Sequence, residues 1–117
     1  MTADQFKSRT KKYGISIILS CETLAQGLAA SIVIKQLLRS GTSVGANYRA
    51  ACRARSNADF IGKMKIVEEE CDESLYWMEI LIEAGLASPD RLLPILREGS
   101  EILAMVVAST KTARHNR

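Results

Sequence analysis

Lys35, Arg39, Arg49 and Arg53 recur at multiples of a helical turn in a stretch that holds no other charged residue. At about 100° per residue they share an arc of roughly 80° and extend over roughly 27 Å of helix. A row of cations so spaced suits a row of phosphates. Each neutralised phosphate releases counterions and adds salt-sensitive affinity, and none of it carries sequence information. Lys7, Arg9, Lys11 and Lys12 near the N-terminus, with Lys111, Arg114 and Arg117 near the C-terminus, extend the positive set. The plainer reading is a solvated helix face, and it stays open.

The second concentration of chemistry is acidic: Glu68, Glu69, Glu70, Asp72 and Glu73 surround Cys71. Carboxylates three apart invite a metal. Bundles that hold metals by carboxylates also need Glu-x-x-His pairs projecting inward, and His115, the one histidine, lies near the C-terminal end. No metal and no cofactor is expected. Glu70 and Glu73 are placed differently, on the same side as Ile66, Trp77 and Ile80, where they can meet arginines of an adjacent subunit. Nucleophilic catalysis lacks a histidine on a stable element beside any serine or cysteine, and no glycine-rich loop precedes a helix to cradle phosphate. The chain is not expected to be an enzyme.

These side chains need long helices to carry them. With 117 residues, 47% of them hydrophobic, the chain suffices for one domain, 1–117, with its own core. Its two prolines both fall within Ser88 to Pro94, and alternating β-branched runs with turn dipeptides are missing, so the class is all-α. Charge is polarised: residues 1–56 hold nine Lys/Arg against two Asp/Glu, and residues 57–117 hold seven against eleven. That asymmetry fits a polyanion-binding surface, and equally a basic half docked on an acidic half within or between subunits. Cys21, Cys52 and Cys71 make neither an even framework nor a CxxC pair, which suits a reducing cytoplasm. There is no secretory h-region and no run of roughly 20 apolar residues, so a soluble protein without membrane contact is expected.

Periodicity predicts four helices. Phe6, Thr10, Tyr13, Ile17, Cys21 and Leu24 line a first helix that ends near Gln26-Gly27; a second runs from about Ser31 to Arg55 around Leu37, Gly41, Val44, Gly45, Tyr48 and Cys52. Gly41 and Gly45 each cost about 1 kcal/mol against alanine in a helix, so close approach of a neighbour, or room for its aromatic ring, should explain them. A third helix opens at Ser56-Asn57-Ala58-Asp59, presents Phe60, Met64, Val67, Cys71, Ser74, Met78 and Leu81, and stops at Gly85-Leu86. The fourth carries Leu92, Leu96, Gly99, Leu103, Val106 and Thr110; its cap is Asp90, which leaves Pro94 at the end of the first turn, or Ser88, which puts a kink at Pro94. Short connections make neighbours antiparallel, giving an up-down-up-down four-helix bundle about 35 Å long. A bundle needs one seam per helix. Ile66, Trp77 and Ile80 on the third helix, and Ile15 and Leu19 on the first, form a second apolar layer, and predict a homo-oligomer unless splayed helices bury both sides.

The segments QLLRSGTSVGANYRAACRARS (36–56), ADFIGKM, and EECDESLYWMEILIEAG (69–85), with FKSRTKKY on the first helix, resemble a bacterial family of four-helix-bundle proteins encoded by intervening sequences within large-subunit ribosomal RNA genes. The resemblance covers nearly the whole chain. It implies an antiparallel bundle assembled as a homopentamer, with a poorly defined biochemical role. It also implies kinship with the accessory proteins of diversity-generating retroelements, whose pentamers have a basic surface and work with a reverse transcriptase and nucleic acid. One departure is Ala50, where the family often has an acidic residue after the tyrosine-arginine pair; this puts a polar interface network there in doubt. The expectation is therefore a non-enzymatic oligomer that contacts RNA or DNA through Lys35, Arg39, Arg49 and Arg53. The alternative is a structural or adaptor assembly with a protein partner, in which those cations serve subunit docking.

Overall fold

A computed structural model describes residues 1–24 and 26–116. Four helices, α1 (Ala3–Cys21), α2 (Leu28–Ala51), α3 (Asn57–Glu83) and α4 (Pro89–His115), account for nearly all of them, with no strand among the described residues. Neighbours pack as α1 on α2, α2 on α3, α3 on α4 and α4 on α1, which makes a four-helix bundle. Its extents are 48 × 23 × 20 Å, longer than expected because α3 and α4 each run 27 residues. No described helix is long and apolar enough to cross a membrane.

Local chemistry sets most helix ends. Thr2 and Gln5 form a reciprocal capping box at the start of α1, with Gln5 N donating to Thr2 Oγ1 at 3.1 Å and Thr2 N donating to Gln5 Oε1 at 2.8 Å. The first helix ends at Cys21, earlier than its apolar pattern predicts. Thr23 N and Leu24 N bond Ser20 O and Cys21 O in a tightened last turn, which lets Leu24 pack on the core from outside the helix. The second helix begins three residues before the predicted start, because Gly27, at φ 134°, turns the chain directly into it. It also ends earlier, at Ala51, so Cys52 and Arg53 lie beyond the helix and Cys52 is exposed, not on the buried arc.

The third helix starts and stops as the sequence predicts. Ser56 Oγ accepts from Asp59 N at 3.0 Å. At the other end Gly85 takes φ 73°, Leu86 N donates to Leu81 O at 2.8 Å and Gly85 N donates to Ile82 O at 3.1 Å, the paired bonds of a Schellman motif. Ser88 stands at the N-cap position of α4 without a capping bond from its side chain, and Pro89 occupies the first helical position. Pro94 therefore lies inside the helix, where its missing N–H leaves the Asp90 carbonyl without its intrahelical donor.

The core draws on all four helices: Phe6, Tyr13 and Ile17; Leu37, Val44 and Tyr48; Met64, Val67, Cys71, Met78 and Leu81; Leu92, Ile102 and Val106. Phe6 and Tyr48 meet edge to face with ring centroids 4.7 Å apart. The bundle centre is polar in one place. Ser74 Oγ donates to Cys71 O at 2.6 Å, so the hydrogen between Tyr13 Oη and Ser74 Oγ, 2.7 Å apart, comes from the phenol. Cys71 Sγ in turn donates to Gly99 O at 3.3 Å. This chain of bonds joins α1, α3 and α4. Burial pushes the Tyr13 phenol well up, so it stays a protonated donor.

Candidate nucleic-acid interface

The glycines of α2 determine how closely α1 approaches. A Cβ on Gly45 would lie 3.2 Å from the backbone of Thr10 and Lys11, and one on Gly41 would overlap Ile17 Cδ1. On the other helix, a Cβ at Gly14 would reach 3.4 Å from Thr42 Cα. The two backbones thus nearly touch, and long side chains at the edge of the contact are forced outward. Neither an aromatic ring nor a second subunit is needed to explain Gly41 and Gly45. The residue that accommodates an aromatic ring is Gly99, where a Cβ would lie 2.5 Å from Tyr13 Oη.

Beside this contact lies a groove of about 650 Å³, lined by Lys7 and Lys11 on α1, Arg49 on α2 and Arg53 just past its end. Gly14, Gly45 and Ala46 also line it, with Ile15 and Ile18. A second groove of about 780 Å³ adjoins through Ile18 and takes in Lys35 with Cys21, Leu24, Ile34 and Leu38. The cationic row read from the sequence is therefore divided. Arg49 and Arg53 face one groove and Lys35 the other. Among the described residues, Lys11, Lys35, Arg49 and Arg53 form no ion pair.

Arg39 behaves differently from the other three. Its guanidinium donates to Glu70 Oε2 at 3.0 Å and to Glu73 Oε1, both on α3. Glu73 also accepts from Trp77 Nε1 at 3.2 Å. The bond from Arg39, reinforced by that from Trp77, holds the Glu73 carboxyl below its ordinary range, and Glu73 in turn raises Arg39. The carboxylates expected to reach a neighbouring subunit's arginines meet one in their own chain, since Arg39 and Glu73 face each other across the α2–α3 contact. Arg9 is similarly occupied: Nε and Nη2 grip Glu98 at 2.8 and 2.7 Å, and Nη2 reaches Glu101 at 3.2 Å. Lys12, Lys111 and Arg114 are exposed, and Arg117 lies outside the described residues.

The second apolar layer is partly exposed. Ile15, Leu19 and Ile66 are 46%, 66% and 44% accessible, so these three remain open in a single chain. Trp77 and Ile80 are half-buried, and Trp77 packs against the core with its ring edge to face on Tyr76 at 4.9 Å. Among the described residues no three His, Cys, Asp or Glu side chains are grouped so as to hold a metal ion. The sequence reading named Lys7 and Lys11 only as an extension of the positive set. It missed that they oppose Arg49 and Arg53, and the usable signal was Gly14 on one helix matched with Gly41 and Gly45 on the other.

Residues 6–108 match the model of a family described as 23S rRNA-intervening sequence protein. The fold is similar, with a TM-score of 0.86, to the crystal structure of a protein of unknown function from the S23 ribosomal protein family of Bacteroides thetaiotaomicron VPI-5482. The two are 32% identical over 95% of this chain and 99% of that one. Among curated proteins none matches the chain.

Proposed function

Since the chain belongs to the 23S rRNA-intervening sequence protein family, we propose that it is a non-enzymatic cytoplasmic protein that holds RNA or DNA by its backbone, without reading sequence. The observation that carries this reading is the contrast among the cations. Arg9 and Arg39 are neutralised by carboxylates of the same chain, while Lys35, Arg49 and Arg53 are exposed and form no ion pair among the described residues. Cations left without partners on one face are what a polyanion would neutralise.

The working form is a homo-oligomer, a pentamer in keeping with the resemblance of the sequence. Exposed Leu19 and Ile66 support an apolar interface, while Ile15, which lines the groove beside the cations, is open to a ligand. Each subunit is an antiparallel up-down-up-down bundle: Thr23, after α1, accepts from Arg91 at the start of α4, while Asn57, at the start of α3, donates to Ala113 O near the end of α4. Repetition of a weak site by symmetry raises avidity without new contacts. Titration of labelled RNA and DNA oligonucleotides at several salt concentrations tests the reading. Binding that falls linearly in log–log form with salt is expected, and no binding at low salt removes it.

Arg39 favours a second reading. Its pairing with Glu70 and Glu73 within one chain takes a cation out of the row a polyanion would meet, and the alternative is an adaptor whose partner is a protein such as a reverse transcriptase. Oligomer mass across a salt series separates the two: assembly lost at moderate salt favours charge docking, and a salt-resistant particle favours apolar seams.

A further inference from the structure

We propose that the groove between α1 and α2 is a site for the phosphodiester backbone of single-stranded RNA or DNA, held by Lys7 and Lys11 from one wall and Arg49 and Arg53 from the other. This rests on the nucleic-acid reading above and assigns it to one place. The groove encloses about 650 Å³ and has no carboxylate in its lining. Each wall supplies its two cations four residues apart: Lys7 and Lys11 lie about 6 Å apart along the rise of α1, and Arg49 is in the last turn of α2 with Arg53 just past its end. The planar forks of Arg49 and Arg53 match phosphate oxygens two at a time. Lys7 has a rival in Asp4 at 3.2 Å, but Asp4 is 91% exposed and such a pair holds weakly.

The apolar part of the lining decides the form of the ligand. Ile15 and Ile18, 46% and 41% accessible, stand in the same groove as the cations. A duplex offers its phosphates and hides its bases, so it would set charge against these isoleucines. A single strand offers phosphate to the cations and an unstacked base or sugar to the apolar wall. No aromatic ring lines the groove, so binding is tolerant of sequence and modest per copy. An acidic amphipathic helix needs a run of apolar anchors, and two isoleucines fall short of it.

The test is fluorescence anisotropy with a labelled single-stranded oligonucleotide, its blunt duplex, and polyglutamate as a peptide probe, on the whole protein at low salt. Lys11→Glu with Arg49→Glu reverses charge inside the groove. Ala46→Leu narrows the groove without changing charge or adding an aromatic ring. Lys65→Glu with Arg97→Glu makes the same charge change elsewhere, and circular dichroism verifies folding of each. Both groove variants should weaken single-strand binding by about tenfold or more, the distant pair by less than about threefold, and single strands should bind tighter than duplex. Unchanged binding in both groove variants, with binding lost in Lys35→Glu, overturns the groove and leaves the broader nucleic-acid reading standing. Duplex binding as tight as single-strand binding and indifferent to Ala46→Leu also overturns it, as does polyglutamate binding tighter than the oligonucleotide. No binding of any oligonucleotide by the wild type removes both proposals.

Discussion

Tyr13 on α1 donates its phenolic hydrogen to Ser74 on α3 at 2.7 Å, across the diagonal of the bundle, and does so over a glycine of a third helix. A Cβ at Gly99 would lie 2.5 Å from Tyr13 Oη and 2.7 Å from Leu75 Cδ2. Gly99→Ala should therefore destabilise by about 1–3 kcal/mol, outweighing the roughly 1 kcal/mol that alanine gains in a helix. Tyr13→Phe should cost about 1 kcal/mol, because Ser74 still donates to Cys71 O. The double variant should lose less than the sum, since removal of Oη relieves the overlap. Urea unfolding of the four proteins measures this, and strict additivity would contradict the contact.

Two further glycines should respond in opposite directions. Gly62 on α3 is exposed with nothing within 4 Å of a Cβ, so Gly62→Ala should stabilise by about 1 kcal/mol. Gly45→Ala drives a methyl group against the backbone of Thr10 and Lys11 and should lower the melting temperature. Thermal melts compare them.

Acid should weaken the bundle partly through Glu98. The hydrogen bond from Arg9 is the first cause of its lowered carboxyl pKa, opposed by burial. A carboxyl depressed in the folded state contributes stability that is present above its unfolded value, about 4.3, and is lost as pH falls through the folded value. Glu98→Gln should therefore cost about 0.5–1 kcal/mol at neutral pH in low salt and nothing at the acid end. Denaturation at pH 7 and at successive values below pH 4 follows the difference, and a constant cost at every pH would contradict it.

The cysteines should separate by reactivity. Cys52 is exposed, whereas burial pushes Cys21 up to about 11 and Cys71 up to about 12. Iodoacetamide at neutral pH should modify Cys52 first, with Cys71 protected until the protein unfolds. Peptide mass spectrometry follows the order, and early loss of Cys71 would show that the centre is not closed.

Local signals were enough for much of the fold. The buried face of α3, from Met64 through Val67, Cys71, Ser74 and Met78 to Leu81, agrees with the heptad spacing, and Ser56 and Gly85 begin and end the helix as their types predict. Caps and apolar periodicity act over a few residues, so a linear reading reaches them. The earlier ends of α1 and α2 were not legible, because a tightened turn can keep Leu24 on the core without keeping it in the helix.

The amino-acid order alone determined four helices, their apolar faces and a positive arc on the second. Tertiary packing decided which of those charges stay available. Arg39 and Arg49 share one arc of α2, yet Arg39 faces carboxylates of α3 while Arg49 faces the lysines of α1 across a groove. Long cationic side chains take the partner that the neighbouring helix presents, and that neighbour is set by the close approach of α1 and α2 at their glycines, a contact between residues far apart in the chain.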